Sequence, residues 1–411
     1  MTRLKVPTQR EYIHPENQAL PQLCEAGHVL VVVAYYPPAP SGMSVTMHNL
    51  LSHFHPASYS VVTAGGLTHQ AIEASEQAQV YRVFSSLRRV SSRLDRLWQD
   101  RQLPSAVSVL SDLIDQTDAK AIVGVYPTYH FLKLAREAAR ATGVPWVAYL
   151  HDTVAEALAN GALAKRALSL QNQVFAEAAS ILVMSSGMAE LYRRKYGLAS
   201  TPLEHTYPEP IPQRLPEHAA MRQAFWAGAT YGINHRAVAR VSAALKRLDY
   251  PLLMTTTARP KSLIQQGITG DHLKTTFFPK REDYLSALQQ QGVLILALNW
   301  PDEATLHEDE LATIFPTKTP EYLASGRPIL VHCPDHYFLA QYFRRHGCGL
   351  VVSERSEAAL AEAIAFLLAD SSEVKAMRQA ALITAQQFSA REIASRFRRT
   401  IESTVKESNL E

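Results

Sequence analysis

Cysteine is scarce in this sequence. Cys24, Cys333 and Cys348 are the only three in 411 residues, and no Cys-x-x-Cys pair occurs. An odd, widely spaced trio supports neither a disulfide framework nor a zinc ribbon, so a reducing, cytoplasmic setting is the expectation. Long hydrophobic runs are missing as well. The longest, such as Val29 to Ala34 and Val293 to Leu298, fall far short of the ~20 residues a helix needs to cross a bilayer. The stretch from Met1 to Ala26 is polar and proline-bearing, without the charged start, apolar centre and small-residue cleavage site of a secretory signal. Nor does one sign of charge prevail: 41 Lys and Arg stand against 38 Asp and Glu, a formal net +3. That balance excludes a surface built wholly to coat nucleic acid, so any electrostatic role must be local.

What is present is enough apolar chain for more than one core. With 47% hydrophobic and 19% charged residues over this length, two domains of roughly 150–200 residues are expected. His28 to Ala34 is a continuous apolar run rich in β-branched residues, the pattern of a strand buried on both faces. Similar runs recur at Tyr59 to Thr63, Ala121 to Val125, Trp146 to Leu150 and Ser180 to Met184, with the helix-periodic stretch Phe131 to Thr142 among them. This alternation predicts a doubly wound α/β domain over 28–205, after an N-terminal extension at 1–27. Pro202, Pro208, Pro210, Pro212 and Pro216 preclude a helix there and mark the domain boundary.

Beyond it the alternation restarts. Strands are expected at Ala224 to Ala227, Pro251 to Thr256, Thr275 to Phe278, Val293 to Ala297, Pro328 to His332 and Gly349 to Val352, with a helix over about Arg236 to Leu248. A second α/β domain therefore spans 206–387. Ser389, with Glu392 three residues on, predicts the cap of a final helix within 388–411. Ligands of doubly wound sheets bind at the carboxyl ends of the strands, so the chemistry belongs in the loops there.

Three such loops carry candidate residues. Ala34 to His48 is long and proline-rich and holds Tyr36, Ser41 and Gly42; the glycine permits close backbone approach, and a following helix end attracts anions. An ordinary helix entry with a serine cap is the other reading, and no Gly-x-Gly-x-x-Gly fingerprint is present. After Trp146 to Leu150 come His151, Asp152 and Thr153. The histidine can hydrogen-bond a ligand or exchange a proton, while Asp152 and Thr153 can equally cap a helix. The third loop runs from Thr313 to His332, where Lys318 and Glu321 open a short helix closed by Ser325 and Gly326. Lysine with free helix N–H groups suits a diphosphate, and a carboxylate one turn on can hold ribose hydroxyls or stabilise the helix dipole.

The run Phe315-Pro-Thr-Lys-Thr-Pro-Glu-Tyr-Leu-Ala-Ser-Gly-Arg-Pro-Ile-Leu330 resembles the nucleotide-sugar motif of glycosyltransferase family 4, in its variant with a lysine-bearing turn before Glu-Tyr-Leu-Ala-x-Gly-x-Pro. The segment 32–38 with Gly42, the strand before His151-Asp152-Thr153, and Ala178 to Gly197 look like the same family in the same order. The resemblance implies a GT-B fold: two Rossmann-like domains facing a cleft, the donor held mainly by the second, and a last helix crossing back to the first. It implies a retaining, metal-independent transfer of a sugar from a nucleotide donor, UDP-linked in the commonest case, to a glycan, lipid-linked or small-molecule acceptor, as in polysaccharide biosynthesis. No further cofactor is implied. Carried over by position, Glu321 would bind ribose, Lys318 the diphosphate, Gly42 the loop facing it, and His151 the reacting sugar or acceptor, with Thr317 a further donor-binding candidate. Tyr36, Ser41 and Asp152 are the acceptor-side candidates.

The sequence departs from the family pattern twice. The usual motif places a glutamate eight positions before its second one, and here that position is Thr313; Glu308 and Glu310 are candidate substitutes. The basic pair often found after the first strand of the second domain is missing from Phe225 to His235, where Gly228, Asn234 and Arg236 stand as candidate contacts. A nucleotide-sugar epimerase and a non-catalytic partner subunit are therefore alternative readings. Catalysis of such a transfer is mainly stabilisation of the leaving diphosphate and positioning, which assigns Lys318 and His151 as the catalytic candidates.

Arg82 to Arg101 combines apolar Val83, Phe84, Leu87, Val90, Leu94, Leu97 and Trp98 at helical spacing with six arginines. It is read either as a peripheral anchor to an anionic membrane surface or as a helix packing its apolar stripe on the sheet. No nucleic-acid partner is expected.

Overall fold

The computed structural model describes residues 24–37, 39, 42–65, 79–84, 92–158, 161–216, 223–369 and 371–410. The chain divides into two compact units. One comprises Met1–Tyr149, Glu177–Ser180 and Ala394–Glu411; the other comprises Leu150–Ala176 and Ile181–Ile393.

In the first half of the chain the elements run β1 (His28–Val32), α1 (Gly42–Leu51), β2 (Tyr59–Ala64), β3 (Gln79–Val83), α2 (Ser92–Thr117), β4 (Ala119–Tyr126), α3 (Tyr129–Thr142), β5 (Trp146–Leu150), α4 (Ala162–Glu177), β6 (Ser180–Val183), α5 (Ser186–Tyr196) and β7 (Thr201–Pro202). They form a sheet of order β3-β2-β1-β4-β5-β6-β7, in which β1 pairs in parallel with β2 and β4. Val29 to Val32 are all within 1% of full burial. Valine and leucine covered on both faces are what a parallel strand requires. The strand order reverses between β1 and β4, so the loop leading to Gly42 leaves the sheet at its switch point.

The remaining elements are β8 (Ala224–Ala227), α6 (His235–Arg247), β9 (Leu252–Thr255), α7 (Pro260–Gln265), β10 (Leu273–Thr276), α8 (Arg281–Gln289), β11 (Val293–Ala297), α9 (Glu308–Thr313), α10 (Thr319–Ala324), β12 (Ile329–His332), α11 (Phe338–His346), β13 (Leu350–Val352), α12 (Glu357–Leu368), α13 (Ser372–Ala385) and α14 (Ala390–Ser408). Their sheet has order β10-β9-β8-β11-β12-β13, and all five pairings are parallel. Alternate residues feed its two faces. Phe225, Leu294, Leu296 and Val331 pack with Tyr322, Tyr337 and Phe343 on one side, while Trp226, Val293, Ile295 and Leu330 pack with Val238, Val241 and Ile364 on the other. The switch point lies between β8 and β11. Two parallel-sheet, Rossmann-like units are thus present, as the alternation of runs predicted.

The basic segment folds differently from its sequence periodicity. Val83 ends a strand and Phe84 follows it, both buried, rather than opening a helix; Val80, Tyr81 and Val83 are buried in that strand and Arg82 is half-buried between the last two. Leu87 and Val90 lie outside the described residues. In α2 the buried stripe is Leu103, Ala106, Val109, Leu110, Leu113 and Ile114, whereas Leu94 (50%), Leu97 (52%) and Trp98 (37%) remain exposed. Among the described residues no helix is long and apolar enough to cross a membrane.

Candidate functional site

Lys318 and Tyr322 of α10 meet the end of β8. Lys318 caps α10, and its ammonium donates to the carbonyl of Ala227, the last residue of β8. Four residues on, Tyr322 presents its hydroxyl oxygen to the Ala227 N–H at 3.0 Å. Lys318 and Tyr322 lie on one helix face and clamp both polar groups of a single strand residue. The ammonium also rests 3.6 Å from the centroid of the Trp226 ring. Gly228 follows with φ 106°, a left-handed conformation that suits glycine, and a Cβ there would come within 3.6 Å of the Lys318 Nζ. Burial pushes the ammonium down to about 7, against the opposing pull of Glu321. Thr317 is exposed beside it.

Glu321 points to another partner set. Its Oε1 accepts from Arg281 Nη1 at 2.8 Å and its Oε2 from the Tyr284 hydroxyl at 2.8 Å, both donors standing on α8. The same guanidinium grips Glu209 through two of its nitrogens, and the two carboxylates hold the arginine firmly in its charged form. Each oxygen of Glu321 keeps a further lone pair, so a vicinal diol can be added without displacing either donor. Arg281 and Tyr284 were not singled out from sequence. Arg281 stands at the start of α8, 53 positions beyond Gly228, and its guanidinium is committed to Glu209 and Glu321.

The β8–α6 loop is internally tied. Asn234 accepts from Tyr231 N–H at 3.0 Å and donates to Ala229 O at 3.2 Å. The first turn of α6 is capped from β11's exit: Asn299 Oδ1 accepts from the N–H groups of Arg236 and Ala237 at 3.0 Å each. Its amide donates to Gly232 O and Glu303 O at 3.2 Å, and the residue is fully buried. Those two N–H groups are therefore already satisfied. Arg236 itself is exposed.

His151 lies just past β5 in the second unit, its ring edge-on to His205 with centroids 6.3 Å apart. Burial, helped by the neighbouring His205, holds the imidazole down to about 3, so it is neutral at physiological pH. It can offer a hydrogen bond but arrives without a charge. Asp152 beside it is exposed. Thr153, fully buried, donates through its N–H to Glu310 Oε2 at 3.0 Å and through its hydroxyl to the same oxygen. Of the two glutamates upstream of Thr313, Glu308 is exposed and accepts from His336 at 3.0 Å, while Glu310 is 5% exposed and turned to this loop.

In the first unit, Gly42 is the exposed first residue of α1, and Tyr36 is 7% exposed, edge-on to His48 and hydrogen-bonded to Tyr59. Ser41 lies outside the described residues. The structure thus joins Gly228, Lys318 and Glu321 in one constellation, with His151, Asp152 and Glu310 in a second cluster of the same unit. Among the described residues no group of three His, Cys, Asp or Glu side chains is arranged to hold a metal.

The family model of a glycosyl transferase 4-like domain matches residues 19–205. Comparison with curated proteins yields no match. Among solved structures, sucrose-phosphate synthase from Thermosynechococcus elongatus is 15% identical with a TM-score of 0.67, covering 93% of this chain and 100% of that one. HepE from Anabaena, solved with UDP and glucose, is 15% identical with a TM-score of 0.66 and covers 92% and 100%. A glycosyltransferase from Rickettsia africae is 12% identical with a TM-score of 0.64, covering 92% and 99%. The chain has the GT-B fold of these neighbours, and with the matched glycosyl transferase 4-like domain this supports a transferase.

Proposed function

We propose that the protein is a retaining, metal-independent glycosyltransferase that moves a sugar from a nucleotide donor to a glycan, lipid-linked or small-molecule acceptor. The observation that carries this reading is the Gly228–Lys318–Glu321 constellation at the carboxyl end of β8. A diphosphate placed over Gly228 would draw the Lys318 ammonium from the Ala227 carbonyl, while the ribose diol adds to the free lone pairs of Glu321. The HepE structures hold UDP with glucose and UDP-glucose, which makes UDP the first donor base to test. Departure of the diphosphate leaves negative charge that Lys318 can neutralise, and neutral His151 is suited to hydrogen-bond a sugar or acceptor hydroxyl. The epimerase and partner-subunit alternatives are not favoured by these comparisons.

Calorimetry tests the assignment directly. Wild type should bind UDP, whereas Lys318→Ala and Glu321→Ala should each weaken it at least tenfold while retaining a native circular dichroism spectrum. Undiminished binding by both variants would overturn the site. A lipid-linked acceptor would give the exposed Leu94, Leu97 and Trp98, flanked by Arg96 and Arg101, an anionic surface to rest on. Salt-insensitive or absent sedimentation with vesicles of phosphatidylglycerol would remove that part of the reading.

A further inference from the structure

We infer that Glu310 is the positioning residue of the His151–Thr153 loop, a carboxylate latch on α9 that fixes where the strand-end histidine is presented. Glu310 and the loop both belong to the second unit, and the role assigned to His151 rests on the glycosyltransferase reading above.

The argument starts from what an N-terminal helix residue ordinarily does. A glutamate in a first turn faces solvent and stabilises the helix dipole at no cost in burial. Glu310 instead is 5% exposed, and a carboxyl is put there only at an energetic cost that hydrogen bonds must offset. Both bonds go to one residue, Thr153, which presents its N–H at 3.0 Å and its hydroxyl to the same Glu310 oxygen. Thr153 follows directly on His151 and Asp152 and is itself fully buried. With its N–H and hydroxyl both held by Glu310, 157 positions away, Thr153 has little freedom left, and the backbone that carries His151 two residues upstream is anchored with it.

The groups around the latch are mostly acidic. Burial above all, with Asp152 and then Glu156 from the loop, opposes ionisation of Glu310 and pushes its carboxyl up to about 7, while the two Thr153 bonds pull the other way. Tyr231 from the β8–α6 loop also senses Asp152 and Glu310. On the far side Lys195 of α5 is engaged by Asp309 at 2.6 Å and by Glu156 at 3.4 Å, so that cation is already shared. The latch therefore exchanges a proton near neutrality: ionised, it is the stronger acceptor for Thr153; protonated, it grips less tightly.

Hydrogen exchange and imidazole resonances read this without needing the substrate. Glu310→Ala should lower protection of the Thr153 amide about tenfold, the scale of one hydrogen bond to a charged acceptor, with amides in α6 and β11 unchanged. The His151 ring resonances should shift in Glu310→Ala and return toward wild type in Glu310→Gln. In wild type the Thr153 protection factor should fall as pH drops from 8 to 6, and in Glu310→Gln it should be flat. If Glu310→Ala fails to fold, the wild-type and Glu310→Gln pH series decides alone. Unchanged Thr153 exchange and His151 resonances in a folded Glu310→Ala, or the same pH dependence in wild type and Glu310→Gln, would overturn the inference. UDP calorimetry on the same samples separates the two readings: absence of binding by wild type removes the donor-site proposal and leaves the latch to stand or fall on exchange.

Discussion

Lys318 is held in surroundings that oppose its charge. Its ammonium is depressed to about 7 in the fold, against about 10.4 when exposed. The unfolded chain thus binds more protons between those limits, and the group withdraws stability as pH falls from 10.5 to 7. Lys318→Met should therefore raise stability at pH 7 by on the order of 1 kcal/mol, about 2–4 °C in Tm, while abolishing UDP binding; calorimetry reads both. The same depression predicts proton traffic. A bound diphosphate would restore the charge, so UDP binding at pH 7 should take up roughly half a proton. Titration in buffers of different ionisation enthalpy measures it, and affinity should weaken as pH rises above 7. Zero uptake would mean that Lys318 does not meet the phosphates.

At the scale of elements, two short helices show what sequence could and could not disclose. The short helix opened by Lys318 and Glu321 was legible because its spacing is local, while the role expected of those residues came from the resemblance of the run Phe315 to Leu330 to a family motif. Their partners were not legible, since Ala227, Arg281 and Tyr284 come from β8 and α8, and pairings across elements leave no periodic trace. Strands such as Trp146–Leu150, Ala224–Ala227 and Val293–Ala297 were read with their observed limits, because short continuous apolar runs of four or five residues are too brief for a core helix and fit a strand covered on both faces. The segment 82–101 shows the limit of periodicity: the helix expected there is present from Ser92, but Arg82 and Val83 belong to a strand, because apolar residues at helical spacing do not reveal where a neighbouring sheet recruits the chain. The cap on α6 yields a sharp test. Asn299 satisfies the Arg236 and Ala237 N–H groups while its amide bonds two carbonyls. Asn299→Ala should destabilise the protein by about 2–4 kcal/mol, measured by urea unfolding. A loss below 1 kcal/mol would show the cap to be dispensable.

For the molecule as a whole, buried neutral histidines set the acid limit. His151 and His205 are each held down to about 3, so the unfolded chain binds the extra protons between about 3 and 6.5. Stability is present in full above 6.5 and is lost as pH falls through that window. Between pH 7 and 5 the two together should cost about 4 kcal/mol, and His205→Phe should roughly halve that; equal urea midpoints at the two pH values would contradict this. The three cysteines lead elsewhere. Cys24, Cys333 and Cys348 are all at most 5% exposed, and burial pushes the last two thiols up to about 12. Thiolates are the reactive form, so the folded native chain should be almost silent to maleimide. A single cysteine installed at Leu97, on the exposed turn of α2, then becomes a one-address reporter, and a fluorophore or spin label attached there can be followed on vesicles without first deleting any native thiol.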